Sequence, residues 1–158
     1  MPGKQCFPCT ACCQGWLKAS INGETMKPGK PCQHLGGQGC DIYADRPENP
    51  CVKYVCGWLI EQNKMPEHMR PSECGAIVGF SEWRGRQVMD AVPVGEKIPS
   101  ETLEWLKAFA IEKSIPLMFS ERILENGEYI GVKRIGFGPP SFIHEVQNRL
   151  GPDDIMKF

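Results

Sequence analysis

Residues 6–13 read Cys6-Phe7-Pro8-Cys9-Thr10-Ala11-Cys12-Cys13, four thiols within eight residues. How this stretch is satisfied decides how the first half of the chain folds. A disulfide needs Cα atoms about 4.4–6.8 Å apart and Cβ vectors that face one another, so thiols this crowded cannot each find an unstrained partner inside the segment. A metal ion gathers several thiolates at about 2.3 Å around one centre without that difficulty. Working outward, five further cysteines follow at Cys32, Cys40, Cys51, Cys56 and Cys74, with none beyond. Nine thiols would leave one over in a full disulfide set. The leading residues Met1-Pro2-Gly3-Lys4-Gln5 have no apolar run of the kind that directs export to an oxidising compartment. The expectation is a metal-binding protein of the cytoplasm.

Local ligand patterns are incomplete. Cys6, Cys9 and Cys12 occupy the first three places of a bacterial ferredoxin run, but the fourth falls on Trp16. Cys9 and Cys13 begin a C-x-x-x-C-x-x-C triad whose third place is again Trp16. Ligands must therefore come from more distant cysteines. Adjacent side chains such as Cys12 and Cys13 tend to diverge, so eight thiols could fill two four-thiolate sites, with one site plus spare thiols as the sparer alternative. Residues 1–56 carry Lys4, Lys18, Lys27, Lys30, Arg46 and Lys53 against Glu24, Asp41, Asp45 and Glu48, a net +2. That excess suits the negative charge of a thiolate-bound divalent ion.

The sequence continues through Pro31-Cys32-x-x-Leu35, then Gly37-x-Gly39-Cys40-Asp41-Ile42-Tyr43-x-x-Arg46-Pro47, then Cys51. Over residues 6–60 it resembles the YkgJ-type cysteine-cluster family of zinc- or iron-chelating proteins. The pattern of that family is a CxxCxxCC box, a GCxIYxxRP box and a closing cysteine with an aromatic nearby. The same type of cluster occurs in flagellin lysine methylases. The resemblance implies zinc or iron as cofactor, with an iron-sulfur cluster in a redox or protein-modification role as the alternative. Two departures stand out. Three residues, Glu48-Asn49-Pro50, separate Pro47 from Cys51 where the family usually has two, and Val52 replaces a common arginine. Cys51-x-x-Tyr54-x-Cys56-x-Trp58 is similar to a variant of the closing box. The candidate metal ligands are Cys6, Cys9, Cys12, Cys13, Cys32, Cys40, Cys51 and Cys56. Cys74 lies outside the boxes and ranks last.

The expected fold class is α+β: an irregular cysteine-rich metal-binding region over residues 1–74, followed by a small α+β region with a β-hairpin over residues 75–158, the two packed as one unit. Glycine and proline punctuate residues 1–51, which disfavours long elements. Val52, Val55, Cys56, Leu59 and Ile60 fall at helical spacing and predict a helix from Val52 to Lys64, whose N-terminal dipole would favour thiolates at Cys51 and Cys56. Ala76–Phe80 and Gln87–Val94 read as strands. A helix follows, with Ser100 as N-cap and Leu103, Leu106, Phe109 and Ala110 on its buried face. Glu125-Asn126-Gly127-Glu128 joins Leu117–Leu124 to Tyr129–Phe137 as a hairpin, because Asn-Gly supplies both left-handed residues of a tight turn. A final helix after Pro139-Pro140 would bury Phe142, Ile143, Val146 and Leu150.

Other chemistry is sparse. His34 is a candidate metal ligand or hydrogen-bond donor near Cys32, while His68 and His144 lack a companion at metal-binding spacing. Asp41 is expected to cap or accept backbone bonds, and Arg46 to pack across the cysteine loop and tune the thiolates. No nucleophile-elbow, phosphate-loop or zinc-protease motif is present, so the sequence assigns no catalytic residue. A net charge of −1 argues against a nucleic-acid binder; Arg84, Arg86, Lys133 and Arg134 beside Trp83 form the main local basic group. No run approaches the roughly 18–20 apolar residues of a membrane span. The expected partner is a metal ion, with a protein partner as a further reading in which the metal half merely holds an interaction surface.

Overall fold

The computed structural model describes residues 4, 6, 9–83, 85–142, 144 and 155–156. Glycine and proline do keep the first half in short pieces, but the pieces are ordered ones. β1 (Ala19–Ile21) and β2 (Glu24–Met26) form an antiparallel hairpin. Asn22 at φ 49 and Gly23 at φ 86 make its turn, the same Asn-Gly chemistry expected only near the other end of the chain. β3 (Leu35–Gly36) and β4 (Gly39–Cys40) form a second, smaller hairpin.

The expected helix over Val52–Lys64 does not form. Residues Glu48–Val52 make a kinked helical segment, Cys56 is extended at φ −70 and ψ 155, and Gly57–Leu59 and Glu61–Asn63 are separate 3-10 turns. The apolar spacing misled because Val52 and Val55 are about half exposed, so no continuous face is buried. Tertiary packing instead holds Gly57 against the sheet. A Cβ there would stand 2.9 Å from the Phe80 ring and 3.0 Å from the Val78 carbonyl. With the helix goes its dipole, and so the reason for expecting helix-favoured thiolates at Cys51 and Cys56.

After the single-turn α1 (Pro71–Cys74), β5 (Ala76–Trp83) and β6 (Arg86–Pro93) pair antiparallel; β5 runs further than the sequence suggested, and β6 lies one residue earlier than expected. α2 (Ser100–Lys113) crosses over to β7 (Leu117–Glu125), which lies parallel to β6 through Met89–Ala91. Ser100 is the first residue of α2 rather than its cap: Pro99 holds the cap position, with no side-chain hydrogen bond. β8 (Glu128–Phe137) returns antiparallel to β7 around Asn126 and Gly127 at φ 52 and 80. The two residues of β9 (Ile155–Met156) add to β8, giving a mixed sheet in the order β5-β6-β7-β8-β9. Helical backbone resumes at Pro140, and Phe142 is buried. Most of the expected final helix, including Ile143, Val146 and Leu150, lies outside the described residues, as do Arg84 and the side chain of Trp83 from the basic group.

Strand alternation explains the core. Val78, Met89, Ala91, Leu117 and Phe119 share one sheet face and meet Leu106, Phe109 and Ala110 of α2. Trp58, Met65, Met69 and Cys74 complete this cluster from the cysteine-rich half. The opposite face carries Ile77, Val88, Met118, Ser120 and Arg122, all buried. Arg122 joins distant segments. Its guanidinium donates to the carbonyls of Pro93, Gly95 (2.6 Å) and Trp16 (2.6 Å) and lies 5.0 Å from the Trp16 ring centre. Burial lowers it to about 10, so it remains a cation at neutral pH. Trp16 also meets Tyr129 edge-on at 5.7 Å. Trp16, where the local ligand patterns break off, is thus one of the contacts between the cysteine region and the sheet.

Candidate metal centre

All nine cysteines are free thiols. Cys6 and Cys9 sit on an irregular segment bent by a hydrogen bond from the Cys9 N–H to the Cys6 carbonyl, 2.6 Å. Lys4 anchors that segment by donating to the carbonyls of Trp58 (2.9 Å) and Met65. The Lys4 ammonium and the Arg70 guanidinium each lie 4.8 Å from the centre of the Trp58 ring. Cys12 and Cys13 begin a 3-10 turn, Cys12–Gln14, closed by Gly15 at φ 97. Only glycine fits there, because a Cβ would run into the Lys27 carbonyl.

The Cys32 N–H donates to the Cys13 carbonyl at 2.9 Å, and the Cys32 carbonyl accepts from Leu35 at 3.0 Å. Leu35 faces Cys40 across β3–β4, so one hairpin holds Cys32 and Cys40 near each other. Gly39, at φ 104, helps turn this hairpin. Gly36 is also constrained, since the Asp41 carboxylate lies where its Cβ would be. Cys51 occupies the kinked segment, and the kink falls at Asn49, inside the three-residue departure Glu48-Asn49-Pro50. Cys13 and Cys51 pack with buried Cys32 against Ile21 and Met26, in a small apolar cluster beneath β1–β2. Cys56 packs against the main core instead.

Electrostatics links the thiols across both clusters. Cys32, Cys40 and Cys51 all act on Cys13, and Cys32 and Cys40 act on Cys51. Burial pushes the Cys6 thiol up to about 11, with Cys12, Cys56 and Cys9 adding to the effect. Cys56 is likewise raised by burial, then by Cys12 and Cys9. The two neighbouring thiols of Cys12 and Cys13 act chiefly on one another, which raises Cys12 and lowers Cys13. Cys12 also acts on Cys51, so the two groups adjoin.

Polar neighbours complete the region. The Arg46 guanidinium stacks 4.0 Å from the Tyr43 ring centre, donates to the Tyr43 carbonyl at 2.7 Å, and opposes the upward shifts of both Cys6 and Cys51. Burial and the thiols of Cys56, Cys12 and Cys6 raise the Tyr54 phenol. The His34 ring engages Asn22 at 3.1 Å, and it is the His34 backbone N–H that points to the Cys32 sulfur, at 3.5 Å. His68 lies edge-on to Trp105. Cys74 is buried, its thiol directed at the carbonyls of Met69 and Ala76, each 3.4 Å away. Lys4 carried no signal in the sequence, being one lysine among many. The residue after Cys51 that departs from the family pattern, Val52, is exposed to solvent.

The donor chemistry fits a thiophilic metal: eight thiols, with cationic Arg46 beside them, suit zinc or iron-sulfur ligation better than a hard cation. Among the described residues, no group of three or more His, Cys, Asp or Glu side chains is placed to hold a metal ion as it stands. The thiols therefore form neighbourhoods rather than a finished coordination shell. No family model, curated protein or solved structure matches the chain. Among the described residues, no helix is long and apolar enough to cross a membrane.

Proposed function

We propose that this chain is a cytoplasmic metal-binding protein of the YkgJ-type cysteine-cluster kind, which uses thiolates of Cys6, Cys9, Cys12, Cys13, Cys32, Cys40, Cys51 and Cys56 to hold zinc or iron in one or two closed sites. The observation that carries this reading is the packing of free Cys13, Cys32 and Cys51 in one small cluster, with Cys40 brought alongside by the β3–β4 hairpin. Bringing like-charged thiolates together is unfavourable without a cation, and a bound metal reverses the sign of that interaction. The chain's own residues supply the rest. Lys4 and Gly15 set the course of the ligand-bearing segments, and Arg46 moderates the excess negative charge. When bound, a closed four-thiolate metal contributes folding free energy rather than an open catalytic position.

Anaerobic purification followed by elemental analysis, acid-labile sulfide assay and a visible spectrum tests the reading. Colourless protein with stoichiometric zinc supports a structural metal. Colour with iron and sulfide supports the iron-sulfur alternative and a redox or protein-modification role. Protein that contains neither and carries disulfides instead refutes metal binding.

A further inference from the structure

Cys13 and Cys32 are nineteen residues apart in sequence and neighbours in the fold, because the Cys32 N–H donates to the Cys13 carbonyl at 2.9 Å. With standard covalent geometry that bond keeps the two Cα atoms within about 6.2 Å, inside the range of about 4.4–6.8 Å that a disulfide spans. Both ends are held in place. The Gly15 N–H closes the turn through the Cys12 carbonyl, and the Leu35 N–H bonds to the Cys32 carbonyl at 3.0 Å. The two side chains also leave the backbone toward the same place, since Cys13 packs against the apolar cluster that Cys32 forms with Ile21 and Met26. Cα spacing and side-chain direction are the two conditions for a cystine, and rotation of Cys13 about its Cα–Cβ bond brings the sulfurs together. Among the described residues no three ligand-type side chains are placed to hold an ion as they stand, whereas these two are placed for a bond.

We propose that Cys13 and Cys32 are an oxidant-sensitive pair, which hydrogen peroxide converts into an intramolecular disulfide. Cys13 is partly exposed and meets the oxidant first, while Cys32 is buried, with the His34 N–H directed at its sulfur from 3.5 Å. The Cys13 thiolate attacks one peroxide oxygen, the O–O bond breaks, and hydroxide leaves behind a sulfenic acid. The Cys32 thiolate then attacks that sulfur, so that the S–S bond forms, the S–O bond breaks and a second hydroxide leaves. The two thiol protons turn both hydroxides into water. Two sulfurs are oxidised, and the peroxide oxygens are reduced. The cystine withdraws two donors from the thiol set, so peroxide acts as a brake on metal uptake; this consequence alone rests on the thiolate metal-binding reading.

The full chain, purified anaerobically and freed of metal with a chelator, provides the test. It is treated with an equimolar amount of hydrogen peroxide, blocked with N-ethylmaleimide and digested without reduction. Fragmentation mass spectrometry that separates Cys12 from Cys13 and Cys32 from Cys40 should find Cys13 joined to Cys32 as the main product, and Cys51→Ser should keep that linkage. A main product joining Cys6 to Cys9, Cys12 to Cys13 or Cys13 to Cys51, or no linkage within the chain, would overturn the pair. The unmodified chain decides this even where the variant fails to fold. Zinc titration of the same material tests the consequence. The oxidised chain should take up several-fold less zinc than the reduced one, with uptake restored by dithiothreitol, and equal uptake by both would overturn the brake. A reduced chain that binds no zinc would remove the metal-binding reading instead, and the linkage map by itself then judges the pair.

Discussion

Individual side chains in this protein do different work from their sequence neighbours of the same type. Cys74 is buried with its thiol directed at two main-chain carbonyls, although Cys9 and Cys56 also act on it, whereas Cys9 and Cys40 act on the thiols of Cys6 and Cys13. Cys9→Ser and Cys40→Ser should therefore each lower metal content. Cys74→Ser should leave it nearly unchanged while costing about 1–2 kcal/mol, because a hydroxyl is harder to desolvate than a thiol. Elemental analysis beside urea melts tests the contrast, and equal metal loss in all three variants would defeat it. Arg122 carries a second residue-scale prediction. Arg122→Met leaves the carbonyls of Pro93, Gly95 and Trp16 without their donor and should destabilise the protein by about 2–4 kcal/mol in urea titration. Nothing around Arg122 in the sequence announced this role: its polar partners are all backbone oxygens, which carry no residue-type signal.

Short elements answer to turn chemistry, and here the sequence was legible in places and silent in others. Asn126-Gly127 announced the β7–β8 hairpin, and Asn22-Gly23 carried the same signal for β1–β2 amid the cysteine-rich punctuation. The spacing of Val52, Val55 and Leu59 suggested a helix that packing does not allow. Periodicity reports which residues could share a face, but burial decides whether that face exists. Two left-handed glycines separate turn strain from packing. At Gly23 nothing lies near a would-be Cβ, so Gly23→Ala should cost only about 1 kcal/mol. At Gly15 the Lys27 carbonyl blocks the Cβ; Gly15→Ala should cost on the order of 2–4 kcal/mol and lower metal content, since the turn carries Cys12 and Cys13. Chemical denaturation with metal analysis checks the pair. Similar small losses in both would show that the turn relaxes freely.

At the scale of the molecule, the described residues include two apolar clusters of unequal size. The larger joins the sheet, α2 and residues 56–74, while the smaller lies under β1–β2 and includes Cys32. Removing metal should therefore loosen residues 9–51 and leave the sheet folded. Hydrogen exchange before and after chelation should show lost protection in β1–β4 and retained protection in β5–β8; uniform loss throughout would mean that metal organises the entire chain. Metal uptake should also release protons, because thiols must ionise to bind. Affinity then falls as pH falls, since protons compete for sulfur. Titration in weak buffer at neutral pH should release up to about four protons per ion, and no release would exclude thiol ligation.

Cysteine spacing, the GCxIYxxRP stretch and the Asn126-Gly127 pair determined, from sequence alone, the expectation of thiolate chemistry in the first half and an α+β arrangement in the second. These are local properties, written in residue type and separation. Which thiols keep company was decided only in three dimensions. Cys13 is tied through its carbonyl to Cys32, nineteen residues on, and packs with Cys32 and Cys51 beneath β1–β2, while Cys56 rests on the main core. The parallel pairing of β6 with β7 and the reach of Arg122 to Trp16 likewise belong to the fold. Contacts between residues far apart in the chain depend on packing and main-chain geometry, and neither leaves a mark at the positions it joins.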